Sequence, residues 1–212
     1  MDSKTYWDNH FKKIDDEGWS DYPSLFAQFS LSYLPKDGKI LELGAGLGND
    51  SRYFARHGYR VTSTDISDEA LHISQWETLN QKLNVDYLNL DLRNPFPFEN
   101  ESFDAVYGHA IFQYFDNPIT SQIVDEISRV LVPEGVFSTL IRSVNDPVIG
   151  QLEKVNDVFY KLPNWILERF YSTQEFLKIV EGKFTPLVID SEGQHLETEH
   201  DTYLRFIGRK NL

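Results

Sequence analysis

Short apolar runs alternate with amphipathic stretches along the first part of the chain. The run KILEL (Lys39 to Leu43) predicts a strand that ends in a glycine-rich turn, and Ser51 to His57 are typical of a helix that stops at Gly58. A second strand is predicted over Tyr59 to Asp65, where apolar and β-branched residues alternate. Ser67 predicts the N-cap of the helix that follows. The pattern therefore predicts two consecutive strand–helix units.

The same alternation continues along the chain. A third strand is predicted to end near Asp91, and the run SFDAVYGHA predicts a fourth. The stretch Asn117 to Leu131 has apolar residues at every third or fourth position, which predicts a helix that Pro133 to Gly135 should break before a fifth strand, GVFSTLIRS. Strands that alternate so regularly with helices indicate an α/β fold, with a parallel sheet covered by helices on both faces.

The two ends of the chain differ from this middle part. A helix is expected over Pro23 to Tyr33, and the runs FTPLVIDSEG and DTYLRFIGR predict two closing strands with an antiparallel end to the sheet. The stretch Val144 to Tyr171 is irregular, aromatic and longer than a connector needs. We therefore expect one domain with four parts: an N-terminal helical cap (1–35), a core (36–143), a lid or insertion (144–171), and a closing helix and strands (172–212).

Composition narrows the possible functions. The chain has 212 residues, and 33 acidic residues against 20 Lys and Arg give a net charge of −13, which disfavours nucleic acid and anionic membranes as partners. Cysteine is absent, which excludes thiol nucleophiles, disulfides and thiolate metal sites. A polar amino terminus and the lack of a long apolar run predict a cytoplasmic protein with no membrane partner.

Histidine spacing argues against a metal centre. His195 and His200 lie in the polar tract EGQHLETEH, five residues apart, so that they would face different sides of a helix or a strand. The tract favours a solvated loop, and no metal site is predicted.

The stretch LELGAGLGNDS contains the most informative motif. Its glycines fall at positions 44, 46 and 48, whereas a nicotinamide-binding fingerprint would need glycine at position 49, which is Asn. Glycines allow close approach of a ligand to the backbone, and a helix N-terminus beyond them offers N–H groups to an anion. A turn that serves only to reverse the chain is the alternative.

Two acidic residues at strand ends extend this motif. Asp65 lies 21 residues after Gly44, at the end of the second strand, where a carboxylate can accept hydrogen bonds from both hydroxyls of a ribose. Asp91 ends the third strand and can accept from the amine of adenine, while Ile66 and Leu92 can enclose the ring. Either acid alone is more often a cap or a solvated turn residue, but together they predict a nucleoside ligand.

The sequence resembles the class I S-adenosylmethionine-dependent methyltransferases, in particular those that are single compact domains acting on small molecules. The resemblance covers Lys39 to Arg142 and rests on ILELGAGLGND, VTSTDIS, LNLDLRNPFPFENESFDAVYGHAIFQYF and EISRVLVPEGVFSTLI. It implies a Rossmann-like, doubly wound sheet of seven strands in the order 3-2-1-4-5-7-6, with the last strand antiparallel. It also implies S-adenosyl-L-methionine as the cofactor and a set of residues that hold it: Glu42, Gly44, Ala45, Gly46, Asp65, Ile66, Asp91, Leu92 and His109.

The sequence departs from the family pattern at two places, and the second departure bears on the substrate. Glu134-Gly135 stands where a Gly-Gly pair usually precedes the fifth strand, which alters that turn and leaves the cofactor residues unchanged. After the fourth strand there is no Asn-Pro-Pro-Tyr or Asp-Pro-Pro-Tyr, the motif that orients the amine in enzymes that methylate DNA and protein. With the acidic net charge, this predicts a small-molecule acceptor.

Methyl transfer is an in-line displacement that needs positioning, exclusion of water and, for a protonated acceptor, removal of a proton. His109 is the candidate base, or else packs the cofactor. Tyr114 is a second catalytic candidate, or else a core residue, and Arg142 could grip an acidic acceptor or form a surface ion pair. A nicotinamide-dependent oxidoreductase and a non-catalytic S-adenosylmethionine-binding protein are the alternatives. The sequence leaves the acceptor atom and the oligomeric state open.

Aromatic residues in two segments predict a cover over the substrate. Tyr6 and Trp7 resemble a Tyr-Trp pair near the start of several such enzymes, and Trp165 lies in the expected lid. Removal of residues 1–18 is expected to spare cofactor binding and to reduce turnover. Packing of these aromatic residues on the domain as ordinary core is the alternative.

Overall fold

The computed structural model describes residues 3–13, 22–193 and 202–212. Its strands are β1 (Lys39–Leu43), β2 (Arg60–Asp65), β3 (Val85–Asn89), β4 (Phe103–His109), β5 (Leu131–Arg142), β6 (Glu153–Lys154), β7 (Tyr160–Lys161), β8 (Leu167–Glu168), β9 (Phe184–Gly193) and β10 (Tyr203–Lys210). Its helices are α1 (Ser3–Lys12), α2 (Leu25–Ser30), α3 (Asn49–Arg56), α4 (Asp68–Asn80), α5 (Asn117–Val130) and α6 (Thr173–Val180), with short 3-10 helices at Phe112–Tyr114 and Pro147–Gln151.

Seven of these strands form one sheet in the order β3-β2-β1-β4-β5-β10-β9. The first five are parallel to one another, and β10 runs antiparallel to both β5 and β9. When the strands of this sheet are counted alone, the order is 3-2-1-4-5-7-6. The expected Rossmann-like topology with its antiparallel strand is confirmed.

Helices cover both faces of the sheet, as the pattern predicts. On one face, α5 and α6 pack through a core that includes Ile123, Ile127 and Phe176, and on the other face α2 and α3 bury Phe26 and Phe54. Ser67 caps α4, because its hydroxyl accepts a hydrogen bond from the N–H of Ala70. These packed faces fix the carboxyl ends of β1 to β5 at one edge of the sheet.

Several element boundaries differ from the predictions. The helix after β1 begins at Asn49, because Gly48 turns the chain with a φ of +71°. Pro133 to Gly135 do not separate α5 from the fifth strand, since β5 begins directly at Leu131 and a register shift against β4 absorbs the extra residues. The N-terminal helix predicted from Pro23 to Tyr33 is shorter and spans α2 alone.

The predicted lid contains a small antiparallel sheet of its own, in the order β6-β7-β8. The contacts of this segment with the rest of the domain include a bridge between Ser143 and Tyr171, and a 2.9 Å hydrogen bond from the Arg169 N–H to the carbonyl of Gln113 in the 3-10 helix after β4. The segment therefore starts at the carboxyl edge of the large sheet and returns to it.

Two further findings concern the described ranges only. No helix in them is long and apolar enough to cross a membrane. No cluster of three metal-ligating side chains occurs in them either. His195 and His200 lie outside the described residues.

Candidate active site

A cavity of about 550 Å³ opens at the carboxyl edge of the sheet. One end is formed by the turns after β1, β2 and β3, and the other by α1, the segment after β4 and the turn between β7 and β8. The lining residues are Ser3, Tyr6, Trp7, Phe11, Gly44, Gly46, Asp65, Ile66, Leu90, Asp91, Leu92, Arg93, Ala110, Ile111, Tyr114, Phe115, Asp116, Ile119, Phe159, Trp165, Ile166 and Leu167.

The glycine turn is joined directly to the end of β2. Gly44 and Gly46 have φ values of +64° and +52°, a region that residues with a Cβ rarely adopt. The Ala45 N–H donates a 2.9 Å hydrogen bond to the Thr64 carbonyl, and the Gly46 N–H donates a 2.8 Å hydrogen bond to Asp65 Oδ2. The turn and the acidic residue therefore form one unit.

Asp65 is buried, yet it faces the cavity. Its second oxygen, Oδ1, accepts the N–H of Ser67 at 2.9 Å. Burial raises the pKa of this carboxyl group, and the N–H donors oppose that shift. A carboxylate has about four acceptor positions, so lone pairs remain for the hydroxyls of a ligand.

Glu42 lies behind the turn and is not among the lining residues. Its carboxyl group accepts a hydrogen bond from the Ser51 hydroxyl, and burial together with the charge of Asp50 raises its pKa well above the usual range. Asp50 in turn accepts hydrogen bonds from the hydroxyls of Ser24 and Tyr107, both at 2.8 Å. These groups support the turn from within the core.

Asp91 has a partner that the sequence analysis missed. Arg93 holds it through Nε to Oδ1 at 2.8 Å and a terminal nitrogen to Oδ2 at 2.6 Å. This ion pair lowers the pKa of Asp91. The side chain is still 24% exposed and lines the cavity two residues beyond β3, beside Leu92.

Aromatic side chains form the other end of the cavity. The Trp7 and Tyr114 rings meet edge to face, with centroids 5.3 Å apart, and Tyr6 and Phe159 lie in the same wall. Trp165 is 76% exposed, has a φ of +70° and lies between β7 and β8. The predicted cap and lid residues thus come together across one cavity.

Helix α1 contacts the glycine turn as well as this aromatic wall. Asp8 accepts a 2.7 Å hydrogen bond from the Ser67 hydroxyl, and a Cβ added at Gly46 would lie 3.4 Å from Phe11 Cζ. Helix α1 therefore packs at both ends of the cavity, so removal of residues 1–18 would also take away contacts near the glycine turn.

Besides Glu42 and Ala45, which belong to the glycine turn and its support, two more predicted site residues are not among those that line the cavity, His109 and Arg142. His109 is half-buried at the end of β4, and the next residue, Ala110, faces the cavity in its place. Arg142 ends β5, where its guanidinium binds Asp146 Oδ2 at 2.9 Å and Glu168 Oε2 at 3.1 Å. Its ion pairs are buried, whereas the sequence analysis considered an ion pair at the surface.

Comparison with known proteins agrees with this geometry. Residues 40–135 match the family described as "Methyltransferase domain". The ubiquinone biosynthesis O-methyltransferase of Idiomarina loihiensis is 25% identical over 142 residues, which are 66% of this chain and 56% of that protein. The sarcosine/dimethylglycine N-methyltransferase of Aphanothece halophytica is 31% identical over 128 residues, which are 57% of this chain and 44% of that protein. This chain spans about half the length of these curated relatives.

A solved structure extends the likeness in fold beyond the core. The 1,6-didemethyltoxoflavin-N1-methyltransferase of Burkholderia thailandensis, solved with 1,6-didemethyltoxoflavin and S-adenosylhomocysteine bound, superposes with a TM-score of 0.72 at 18% identity. The superposition covers 98% of this chain and 85% of that chain. The shared fold therefore includes the parts that surround the cavity.

Proposed function

We propose that this chain, whose residues 40–135 match a methyltransferase domain, is a class I S-adenosylmethionine-dependent methyltransferase that transfers a methyl group from S-adenosylmethionine to a small-molecule acceptor in the cavity described above. The observation that carries the proposal is the difference in lining between the two ends of that cavity. Polar groups suited to a nucleoside line one end, and an apolar aromatic wall lines the other. Nucleic acid is disfavoured as the acceptor by the net charge of −13.

The residues at the glycine end fit the cofactor. Asp65 has acceptor capacity for the ribose hydroxyls, Asp91 reaches the cavity for the adenine amine, and Ile66 and Leu92 offer apolar surface to the ring. Gly44 and Gly46 present backbone without a Cβ to the methionine portion. Glu42 and Ala45 act indirectly, since they hold the turn. When bound, the cofactor supplies an electrophilic methyl group.

The residues at the aromatic end position the acceptor and exclude water. Tyr6, Trp7 and Trp165 surround it, and Tyr114 supplies a hydroxyl within the wall. His109 is proposed to pack near the cofactor from the end of β4 rather than to touch the acceptor. Arg142 is proposed to act through Glu168, which it holds, rather than to grip an acid.

The two alternative functions, an oxidoreductase and a non-catalytic binding protein, make different predictions about ligand binding and turnover. A nicotinamide-dependent oxidoreductase is disfavoured by Asn49, whose side-chain oxygen accepts a 2.7 Å hydrogen bond from Arg52 at the position of the missing glycine. A non-catalytic protein would bind the cofactor without turnover. A location in the cytoplasm is proposed from the composition, which includes no cysteine.

Calorimetry with S-adenosylhomocysteine and with NADH tests which cofactor the protein binds. We expect the former to bind and the latter not to bind, and the opposite result would contradict the assignment of the cofactor. Transfer of tritium from methyl-labelled S-adenosylmethionine to a metabolite extract then separates an enzyme from a binding protein.

A further inference from the structure

Arg93 lines the cavity beside Asp91, and the proposed function gives it no role. Both residues belong to the turn after β3, which the Asn94 N–H closes with a 3.0 Å hydrogen bond to the Asp91 carbonyl. The backbone N–H of Arg93 also donates to Asp91 Oδ1, at 3.0 Å. The turn itself therefore holds one oxygen of the carboxylate, without help from the Arg93 side chain.

The guanidinium of Arg93 adds a fork to this arrangement. Its Nε–H is shared between the two oxygens of Asp91, with Nε 2.8 Å from Oδ1 and 3.0 Å from Oδ2, and a terminal nitrogen donates to Oδ2 at 2.6 Å. Because both groups are planar, such a fork fixes the plane of the carboxylate as well as its position. The orientation of Asp91 is therefore set before a ligand arrives.

These hydrogen bonds leave Asp91 with little further acceptor capacity. The described residues bring three hydrogens to the carboxylate: the backbone N–H of Arg93, the shared Nε–H and one from a terminal nitrogen. A carboxylate has about four acceptor positions, so about one remains for a ligand. The side chain is 24% exposed and lines the cavity. Asp91 is thus suited to accept a single hydrogen from an amine.

The charge of Arg93 favours the same ligand. A base that covers Asp91 takes away its water, which is costly for a carboxylate without a partner, and the guanidinium offsets that cost. Its hydrogen bonds also lower the pKa of Asp91, so the carboxyl group stays ionised near neutral pH. An ionised carboxylate only accepts hydrogen bonds. A base that presents an oxygen there would place two acceptors against each other.

We propose that Arg93 is a positioning residue, which holds Asp91 as an acceptor for one hydrogen and thereby makes the site select a 6-amino purine over a 6-oxo purine. The inference rests on the proposed function and deepens it, because it assigns the choice of base to the pair of residues and not to Asp91 alone.

Two ligands that differ at this position of the base test the inference. S-adenosylhomocysteine carries the amine, and S-inosylhomocysteine carries an oxygen in its place. Calorimetry on the full-length protein measures both Kd values, and their ratio is the base selectivity. We expect the amino ligand to bind at least about tenfold more tightly. Equal affinities would overturn the inference alone, whereas no binding of either ligand would contradict the proposed function and this inference with it.

Arg93→Met removes the fork but keeps the backbone N–H that holds Oδ1. We expect it to weaken S-adenosylhomocysteine binding about tenfold and S-inosylhomocysteine binding much less, so that the base selectivity falls. Arg209→Met is the matched control and should leave both affinities unchanged. The side chains of Arg93 and Arg209 are 44% and 49% exposed, and both form an ion pair with an acidic residue.

Three results with Arg93→Met would overturn the positioning role. Unchanged affinity for S-adenosylhomocysteine would mean that the fork is not needed, and equal losses for the two ligands would mean that it only supports the structure. Tighter binding of S-adenosylhomocysteine would mean that Arg93 competes with the amine for Asp91.

A double-mutant cycle shows whether Arg93 acts through Asp91. In the Asp91→Ala background, Arg93→Met should have little further effect on the affinity for S-adenosylhomocysteine. Additive losses would mean that the guanidinium contacts the cofactor itself, which would overturn its assignment as a positioning residue. Thermal unfolding of each variant without ligand measures any loss of stability separately.

Discussion

The backbone N–H of Gly46 donates a 2.8 Å hydrogen bond to Oδ2 of Asp65. The glycine turn after β1 and the acidic residue that ends β2 are therefore coupled, although 19 residues separate them in sequence. A ligand that binds Asp65 meets a carboxylate already oriented by the turn. Pre-orientation of this kind lowers the cost of binding.

Asp65→Ala is expected to weaken S-adenosylhomocysteine binding. Loss of charge-assisted hydrogen bonds worth about 1.5–3 kcal/mol corresponds to a roughly 10- to 100-fold loss of affinity. Calorimetry on the folded variant measures it, with Asp86→Ala as the control, because Asp86 is exposed on the neighbouring strand β3. Equal affinities for the variant and the wild type would contradict the assigned role.

Gly46→Val is expected to abolish cofactor binding. Valine is strained at a φ of +52°, and its Cβ would lie 3.4 Å from the Phe11 ring, in the face that meets the ligand. Gly182→Ala is the matched control, since Gly182 also has a positive φ, of +75°, and an added Cβ there would meet nothing within 4 Å. Binding that survives in folded Gly46→Val would mean that the turn is only structural.

Sequence reasoning predicted the residues that meet at the glycine end of the cavity, because these residues are tied to strand ends. Gly44, Asp65 and Asp91 follow three strands whose carboxyl ends meet at one edge, so their spacing along the chain predicts their proximity. His109 was placed by the same reasoning, yet Ala110 faces the cavity. Ala110 lies just beyond β4, where its φ of +53° turns the chain, so strand-end spacing does not decide which of the two neighbours lines the cavity.

The partners of Glu168 could not be found in this way. Glu168 reaches Gln113 and Arg142 because β8 pairs with β7 and its neighbour Arg169 bonds to the Gln113 carbonyl. These are contacts between distant parts of the chain within an irregular segment, and no hydrophobic period indicates them. By contrast, Arg93 lies only two residues from its partner Asp91. Local pairing of opposite charges could have predicted this contact.

Trp7→Ala is expected to impair use of the acceptor more than binding of the cofactor. Trp7 contacts the Tyr114 ring, and an aromatic contact of this kind worth about 1.5 kcal/mol corresponds to a roughly tenfold rise in KM for the acceptor. Steady-state kinetics measure the effect. Trp76→Ala, at a tryptophan that is 62% exposed on α4, should behave as the wild type. An unchanged KM for the acceptor in Trp7→Ala would mean that α1 does not contribute to the acceptor site.

Arg142→Ala is expected to destabilise the fold. The substitution leaves the buried carboxylates of Asp146 and Glu168 without their shared cation, at a cost of about 3–5 kcal/mol in the free energy of unfolding. Arg142→Lys keeps the charge but lacks the forked geometry of the guanidinium. Its free energy of unfolding should therefore lie between those of Arg142→Ala and the wild type.

Urea unfolding measures the free energy of unfolding of both Arg142 variants. Arg209→Ala removes an exposed ion pair with Glu134 and serves as the control, with an expected cost of about 0–1 kcal/mol. Unchanged stability of Arg142→Ala, together with a raised KM for the acceptor, would show that Arg142 binds the acceptor after all.

The most direct test of the account is whether the protein moves a methyl group. Purified protein is incubated with methyl-tritiated S-adenosylmethionine and a metabolite extract, and Gly46→Val is run in parallel. We predict labelled small-molecule product that increases with the amount of wild-type protein, is suppressed by S-adenosylhomocysteine and is absent with the variant. Wild-type protein that binds S-adenosylhomocysteine but labels no metabolite above the level of the variant would contradict the proposed methyltransferase activity.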